Sequence, residues 1–146
     1  MRCRAFARLS VMPSPPLLFL KSSEYSPEIS KMRRSVFEKL VKEALLEIPK
    51  HIRRKMDNVA IVIEKGSPRG ALLGLYQGVP QNAWGRGFGM RLPDKITIFQ
   101  EPLERMARSP EQLKKIVRNV VWHEVAHHFG FSEKRVRELE RKRKTR

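Results

Sequence analysis

The sequence predicts an α+β fold, in which a small three-stranded sheet packs against an N-terminal helix and a long helix that carries the pattern His-Glu-x-x-His. Strand-like segments are grouped in the middle of the chain, and segments with helical periodicity lie on both sides of them. At 146 residues the chain has the length of one domain that can bury its own core. Together these observations favour helices packed on a small sheet.

The first half of the chain supplies the first helix and two strands. Apolar residues recur at helical spacing over residues 31–47, and Pro49 stops this predicted helix. The β-branched segment 59–64 is bounded by turn-forming residues and predicts a buried strand, and a second strand is predicted at about 72–77. The glycine-rich segment 78–93 predicts a long irregular loop, of a length that is often functional.

The second half supplies the third strand and the next two helices. Alternating residues at 95–99 predict the third strand, and residues 101–108 predict a short helix. Ser109 and Pro110 provide an N-cap and a proline at the first helical position. A long helix is therefore predicted to begin here and to end at Gly130.

Charge and proline content divide the chain into three parts. Residues 1–30 hold four of the ten prolines and lack periodicity, so they are predicted to be a disordered N-terminal extension. Residues 31–142 form the predicted domain, and residues 143–146 form a basic C-terminal tail. The chain has 31 Lys and Arg against 15 Asp and Glu, a net charge of +16, with much of the excess at its two ends. Such charge indicates solubility and nonspecific attraction to anions.

Cysteine content and hydropathy predict a cytoplasmic protein. The single cysteine, Cys3, excludes an internal disulfide, and nothing calls for an oxidising compartment. The longest apolar run near the N-terminus, residues 17–20, is far shorter than the roughly 20 residues of a membrane span, so no transmembrane helix is predicted. Pro13, Pro15 and Pro16, just before this run, break up the apolar stretch near the N-terminus, which favours a disordered extension over an export signal.

The segment HEVAH at residues 123–127 places two imidazoles one helical turn apart. Residues i and i+4 share a helix face, so His123 and His127 are predicted to bind one Zn²⁺. Glu124 lies next to that face and is predicted to act as the general base, which takes a proton from a zinc-bound water and delivers it to a leaving amine. His128, about 100° further around the helix, is expected to bond to backbone or solvent.

A third ligand is expected beyond the long helix, because a hydrolytic zinc site needs three protein ligands and one open position. Gly130 can adopt a positive φ and turn the chain back, which would bring Glu133, at the start of a last helix predicted over 133–142, toward the metal. Glu133 is the predicted ligand, and the alternative role for it is a first-turn acid favoured by the helix dipole. The later carboxylates, Glu138 and Glu140, lie in the strongly charged terminal helix.

Three segments, HEVAHHFGFSE, LLGLYQG and PDKITIF, together resemble the minimal zincin-like metallopeptidase family of small bacterial proteins. The resemblance covers about residues 35–140, and the family pattern HExxHxxGxxD or HExxHxxGxxE fits the first segment. It implies zinc ligation by His123, His127 and Glu133 and a catalytic role for Glu124. The family is similar to the metzincins in spacing, but has a carboxylate where they have a third histidine.

The residues and the resemblance together predict a zinc metallopeptidase, a hydrolase that acts on peptide or protein substrates. The predicted reaction uses the zinc-bound water activated by Glu124. By analogy with larger zincins, the strand at 72–77 would bind an extended peptide, Tyr76 is a candidate for oxyanion stabilisation, and the loop at 78–93 is a candidate lid. These motifs leave the peptide sequence and the oligomeric state unspecified.

A binding module is the alternative function. In this alternative the zinc only stabilises the fold, and the basic tails attract nucleic acid nonspecifically or bind a protein partner. The sequence has neither zinc-finger spacing nor an aromatic-rich basic face, which weakens the nucleic-acid role. A third alternative is a metallopeptidase fold that binds metal without hydrolysis.

Overall fold

The computed structural model describes residues 32–68, 70–83 and 92–144, with side chains up to residue 142. In chain order its elements are α1 (Arg34–Glu47), α2 (Lys50–Arg53), β1 (Val59–Glu64), β2 (Gly74–Gln77), β3 (Asp94–Phe99), α3 (Gln100–Met106), α4 (Pro110–His128) and α5 (Glu133–Lys144). The predicted α+β fold with a three-stranded sheet is confirmed. The predictions made for residues 1–30 and for residues 84–91 of the loop lie outside the described residues.

The observed elements follow the predicted ones with small differences. The strand β1 has the predicted bounds, whereas β2 begins at Gly74, two residues later than expected. The helix α2, of four residues, is not among the predicted elements. The helix α5 continues to Lys144, into the predicted tail, because lysine and arginine are good helix formers.

The sheet has the strand order β1-β3-β2, with β1 parallel and β2 antiparallel to β3. β2 is therefore an edge strand of the described sheet. The carbonyl oxygen of Leu73 accepts the N–H of Phe99, and hydrogen-bonded and non-bonded pairs alternate along an antiparallel ladder. The backbone N–H and C=O of Leu75 consequently point toward β3. Those of Gly74 and Tyr76 point to the outer edge of β2.

One apolar core joins the helices to the sheet, and α4 contacts α1, α3, α5, β2 and β3. Its completely buried members include Phe37 of α1, Ile96 and Ile98 of β3, and Leu113 and Val117 of α4. Full burial of such a side chain is worth roughly 1.5–3 kcal/mol, so this cluster holds α4 firmly against the sheet. None of the helices in the described ranges combines the length and the apolar character needed to cross a bilayer.

Both ends of α4 have the predicted signals. At its start, Ser109 Oγ accepts the backbone N–H of Gln112 at 3.1 Å, and a proline occupies the first turn. At its end, Gly130 has a φ of +84° and donates its N–H to the carbonyl of His127 at 2.9 Å. The N–H of Phe131 bonds the carbonyl of Ala126 at 3.0 Å, which completes a Schellman turn. The chain reverses here, and α5 returns alongside α4.

Candidate metal centre

Three side chains from α4 and α5 converge beside the C-terminal part of α4. His123 and His127 lie on α4, and Glu133 is the first residue of α5. Oε2 of Glu133 lies 3.2 Å from Nε2 of His123 and 3.2 Å from Nε2 of His127. One ligand atom from each residue lies within 4.8 Å of the others, so the group could hold a metal ion. The structure thus brings together the three residues that the sequence predicts as ligands.

The second ring nitrogen of each histidine has its own partner. Nδ1 of His123 lies 3.0 Å from Oε1 of Glu140, and Nδ1 of His127 lies 3.0 Å from the carbonyl oxygen of Phe131. A carbonyl oxygen only accepts, so His127 carries its proton on Nδ1 and leaves a lone pair on Nε2. This buried Nε2 therefore has no proton to donate to Oε2 of Glu133, 3.2 Å away, and among the described residues no donor bonds it. A metal ion would satisfy such a nitrogen.

The donor set fits zinc, and so do the distances from the carboxylate oxygen to the two imidazole nitrogens. Two imidazole nitrogens and one carboxylate oxygen form a ligand set of hydrolytic zinc sites, in which a fourth position stays open. With zinc–ligand bonds of about 2.0–2.1 Å, the ligand atoms of a tetrahedral site lie about 3.3 Å apart. The two distances from the Glu133 oxygen to the histidine nitrogens, 3.2 Å each, match this spacing.

Arg137, one turn further along α5, holds the other oxygen of Glu133. Its Nε donates to Oε1 at 2.8 Å, which leaves Oε2 toward the histidines. Burial raises the pKa of Glu133, but the hydrogen bond from Arg137 and the charges of His123, Arg137 and His127 outweigh it, so the net pKa is lowered. The carboxylate is therefore ionised at neutral pH, as metal binding requires.

The two histidines differ in their affinity for protons. Burial lowers the pKa of His127, and the charge of His123 beside it lowers that pKa further. Burial also lowers the pKa of His123, but the hydrogen bond to Glu140 and the charges of Glu124, Glu133 and Glu140 outweigh it and raise the net pKa. Protons would therefore compete with a metal ion more strongly at His123 than at His127.

Glu124 is buried against the edge strand β2. Glu124 is only 2% exposed. A Cβ added to Gly74 would lie 2.7 Å from Oε1 of Glu124. A glycine at this position of β2 leaves the room that the carboxylate occupies. The outward-facing backbone N–H of Tyr76 donates to Glu124.

The protonation of Glu124 is set by this burial. Burial raises the pKa of Glu124 to about 7, although the charge of His123 and the hydrogen bond from Tyr76 lower it. A carboxyl group with a pKa near neutrality can both accept and release a proton at physiological pH. The group is thus suited to general acid–base chemistry next to the candidate ligands.

Tyr76 and His128 belong to a separate buried network around Asp94. Oδ2 of Asp94 accepts the Tyr76 hydroxyl at 2.9 Å and lies 2.9 Å from Nδ1 of His128, and its Oδ1 accepts the N–H of Val79 at 3.1 Å. Nε2 of His128 lies 3.0 Å from the side-chain nitrogen of Gln81. The expectation of a backbone or solvent partner for His128 is wrong, because the residue is fully buried beneath the start of the loop. The Tyr76 hydroxyl, held in this network, does not support the oxyanion role.

The sequence pattern assigns no site role to Arg137 or Glu140, although both contact the candidate ligands. Glu133, Arg137 and Glu140 stand at positions i, i+4 and i+7, so they share one face of α5. That spacing is a signal which the sequence contains. The high charge of the helix conceals it, because a charged helix is usually solvated all round.

This arrangement, an HExxH helix beside the edge strand of a small sheet with a carboxylate from the next helix, has the layout of a zincin-type metallopeptidase. Residues 56–143, more than half of the chain, match the family model described as zincin-like metallopeptidase. The chain belongs to the zincin-like metallopeptidase family, which confirms the resemblance seen in the sequence. No curated protein matches the sequence. Membership in this family indicates that the protein is of the metallopeptidase class and that its metal is zinc.

Proposed function

We propose that this protein is a zinc-dependent peptidase, in which His123, His127 and Glu133 bind the metal and Glu124 is the general base. The observation that carries the proposal is the approach of both histidine Nε2 atoms to one carboxylate oxygen, at 3.2 Å each, with a buried Nε2 of His127 that has a lone pair facing that oxygen and no proton to donate to it. The family match supports the same class of reaction.

In the proposed reaction, the residues of this chain bind, orient and move a proton. His123, His127 and Glu133 would hold a Zn²⁺, which when bound would polarise the scissile carbonyl and make the attacking water more acidic. Glu124 accepts the proton of that water and donates it to the leaving amine. Because the N–H of Tyr76 already holds the carboxylate, its orientation is set before substrate binds.

An extended peptide is the substrate form that the edge strand favours. Gly74 directs its backbone groups to the outer edge of β2, whereas the next outward N–H, that of Tyr76, is already bonded to Glu124, so the proposed pairing with an added strand uses the Gly74 end of this edge. The same glycine lies against Glu124, so a peptide paired along this edge would pass close to the general base.

The experiment combines metal titration with peptide cleavage. Purified full-length protein, freed of metal by a chelator, is titrated with Zn²⁺ and then assayed on a library of internally quenched peptides. Wild type should bind one equivalent and cleave. Glu124→Gln should bind zinc but cleave at least about 100-fold more slowly, since a positioned acid–base group contributes 10²–10⁴-fold.

His123→Ala tests the ligand role, with His51→Ala as the matched control because His51 is exposed on α2. His123→Ala should lose the bound zinc, whereas His51→Ala should retain it. Equal zinc content in the two variants would refute the metal site. Equal cleavage by Glu124→Gln and wild type would remove Glu124 from the reaction.

A further inference from the structure

Helix α5 contacts both ring nitrogens of His123. Glu133 lies 3.2 Å from Nε2, and Glu140 lies 3.0 Å from Nδ1. The two glutamates are seven residues apart, which is about two helical turns and about 10.5 Å along the axis. They therefore stand on one face of α5, with the imidazole of an α4 residue between them.

The contact between Glu140 and His123 differs from the surface ion pairs of the same helix. Glu138 pairs with Arg135, three residues away, and both side chains are at least one third exposed, at 33% and 52%. Glu140, whose side chain is 26% exposed, instead bonds a residue 17 positions away on another helix, and it is this partner, the His123 side chain at 7% exposed, that is buried. A hydrogen bond in this setting is less screened by water than an exposed pair.

The chemistry of this hydrogen bond bears on the proposed metal centre. A ring that donates Nδ1–H to a carboxylate has a fixed tautomer, a fixed orientation and a more basic Nε2. The corresponding nitrogen of His127 bonds a neutral carbonyl oxygen, that of Phe131, so it gains orientation with less added basicity. The hydrogen bond at Nδ1 thus makes Nε2 more basic in His123 than the corresponding bond does in His127.

We propose that Glu140 is a positioning residue, which orients His123 toward the metal and strengthens its bond to it without being a ligand. This inference rests on the proposed metal centre and extends it to the terminal helix. It gives α5 two tasks, since the helix supplies the ligand Glu133 and the support for the ligand His123.

A simple ion pair between Glu140 and a protonated His123 is the competing explanation, and it predicts the opposite effect. Such a pair would hold the proton that zinc must displace. Removing Glu140 would then leave zinc binding unchanged or make it tighter. If Glu140 orients the ring for the metal, its removal weakens zinc binding instead.

Zinc affinity of the full chain separates the two explanations. Glu140→Ala and Glu140→Gln are compared with Glu138→Ala and Glu138→Gln, and the zinc Kd is measured at pH 8 by competition with a chromophoric chelator. Glu140→Ala should raise the Kd about 10- to 100-fold, the usual effect of losing such a partner. Glu140→Gln should have a smaller effect, because its amide oxygen still accepts the Nδ1–H but has no charge. The Glu138 variants should stay within about twofold of wild type.

Cobalt substitution and folding controls complete the test. The visible absorption of the Co²⁺-loaded protein should shift in the Glu140 variants and not in the Glu138 variants, because it reports the ligands directly. Circular dichroism of the metal-free proteins checks the fold. If Glu140→Ala does not fold, the Kd of Glu140→Gln decides the question.

A Kd for the Glu140 variants within about twofold of wild type, or below it, overturns the inference while wild-type zinc binding keeps the proposed function. Absence of zinc binding by wild type overturns the proposed function itself, and the inference with it. The two failures are therefore distinguishable in one experiment.

Discussion

Replacement of Glu124 by glutamine should stabilise the metal-free protein at neutral and alkaline pH, although it removes the proposed general base. Burial raises the pKa of this carboxyl group from 4.5 to about 7 in the folded state. Between these values the folded protein binds more protons than the unfolded chain, so the free energy of unfolding falls as the pH rises. Glutamine has no charge to bury, and its amide oxygen can still accept the N–H of Tyr76.

The magnitude follows from the pKa difference. Each pKa unit corresponds to about 1.4 kcal/mol, so a change from 4.5 to about 7 corresponds to about 3 kcal/mol. The penalty for wild type is complete above about pH 7 and absent below about pH 4.5, where the carboxyl group is protonated in both states. Solvent screening reduces it little, because the residue is 2% exposed.

Urea unfolding in the presence of a chelator, at a series of pH values from 4.5 to 8.5, measures this effect. The free energy of unfolding of Glu124→Gln should equal that of wild type at the acid end and exceed it by about 3 kcal/mol at the alkaline end. Glu38→Gln is the control, because Glu38 is half exposed and pairs with Arg34 on the surface of α1. Its effect should stay within about 1 kcal/mol at every pH. A difference between Glu124→Gln and wild type that is constant with pH, or that shrinks as the pH rises, would refute the reasoning.

Three further predictions concern the strand, the helix cap and the tail. Gly74→Ala should lower the free energy of unfolding by about 1–3 kcal/mol in urea, because its Cβ would lie 2.7 Å from Oε1 of Glu124, and an unchanged stability would contradict this packing. Ser109→Ala should lower it by about 1 kcal/mol, because the N–H of Gln112 loses its acceptor, whereas Ser109→Asp should retain the cap. Removal of residues 143–146, which include three basic side chains, should reduce the salt dependence of any binding to nucleic acid, with a slope smaller by up to about 3 in fluorescence anisotropy titrations. An unchanged slope would exclude the tail as the contact.

Several features could be predicted from the sequence because each depends on neighbours along the chain. The strand β1 was expected at the bounds it has, since a β-branched run between turn residues is a local pattern. The ends of α4 follow from Ser109 at one end and Gly130 at the other. The approach of His123 to His127 follows from a spacing of four residues on a helix.

The buried network around Asp94 was not predictable in the same way. His128 and Asp94 are 34 residues apart, and Gln81 and His128 are 47 residues apart. No local sequence pattern predicts that the start of β3, the first residues of the loop and the end of α4 will be in contact. The burial of His128 follows only from the way in which α4 packs against β3 and against the first residues of the loop, up to residue 83.

The sequence by itself determined the α+β class, the HExxH helix and the turn at Gly130 that returns the chain toward the histidines, because dihedral preferences and helical spacing act over a few residues. The tertiary structure alone decided that Glu140 bonds His123 and that Glu124 lies in the space left by Gly74. These contacts depend on how α5 and β2 pack against α4. Packing is governed by the shape of whole surfaces, and a short stretch of sequence does not contain that information.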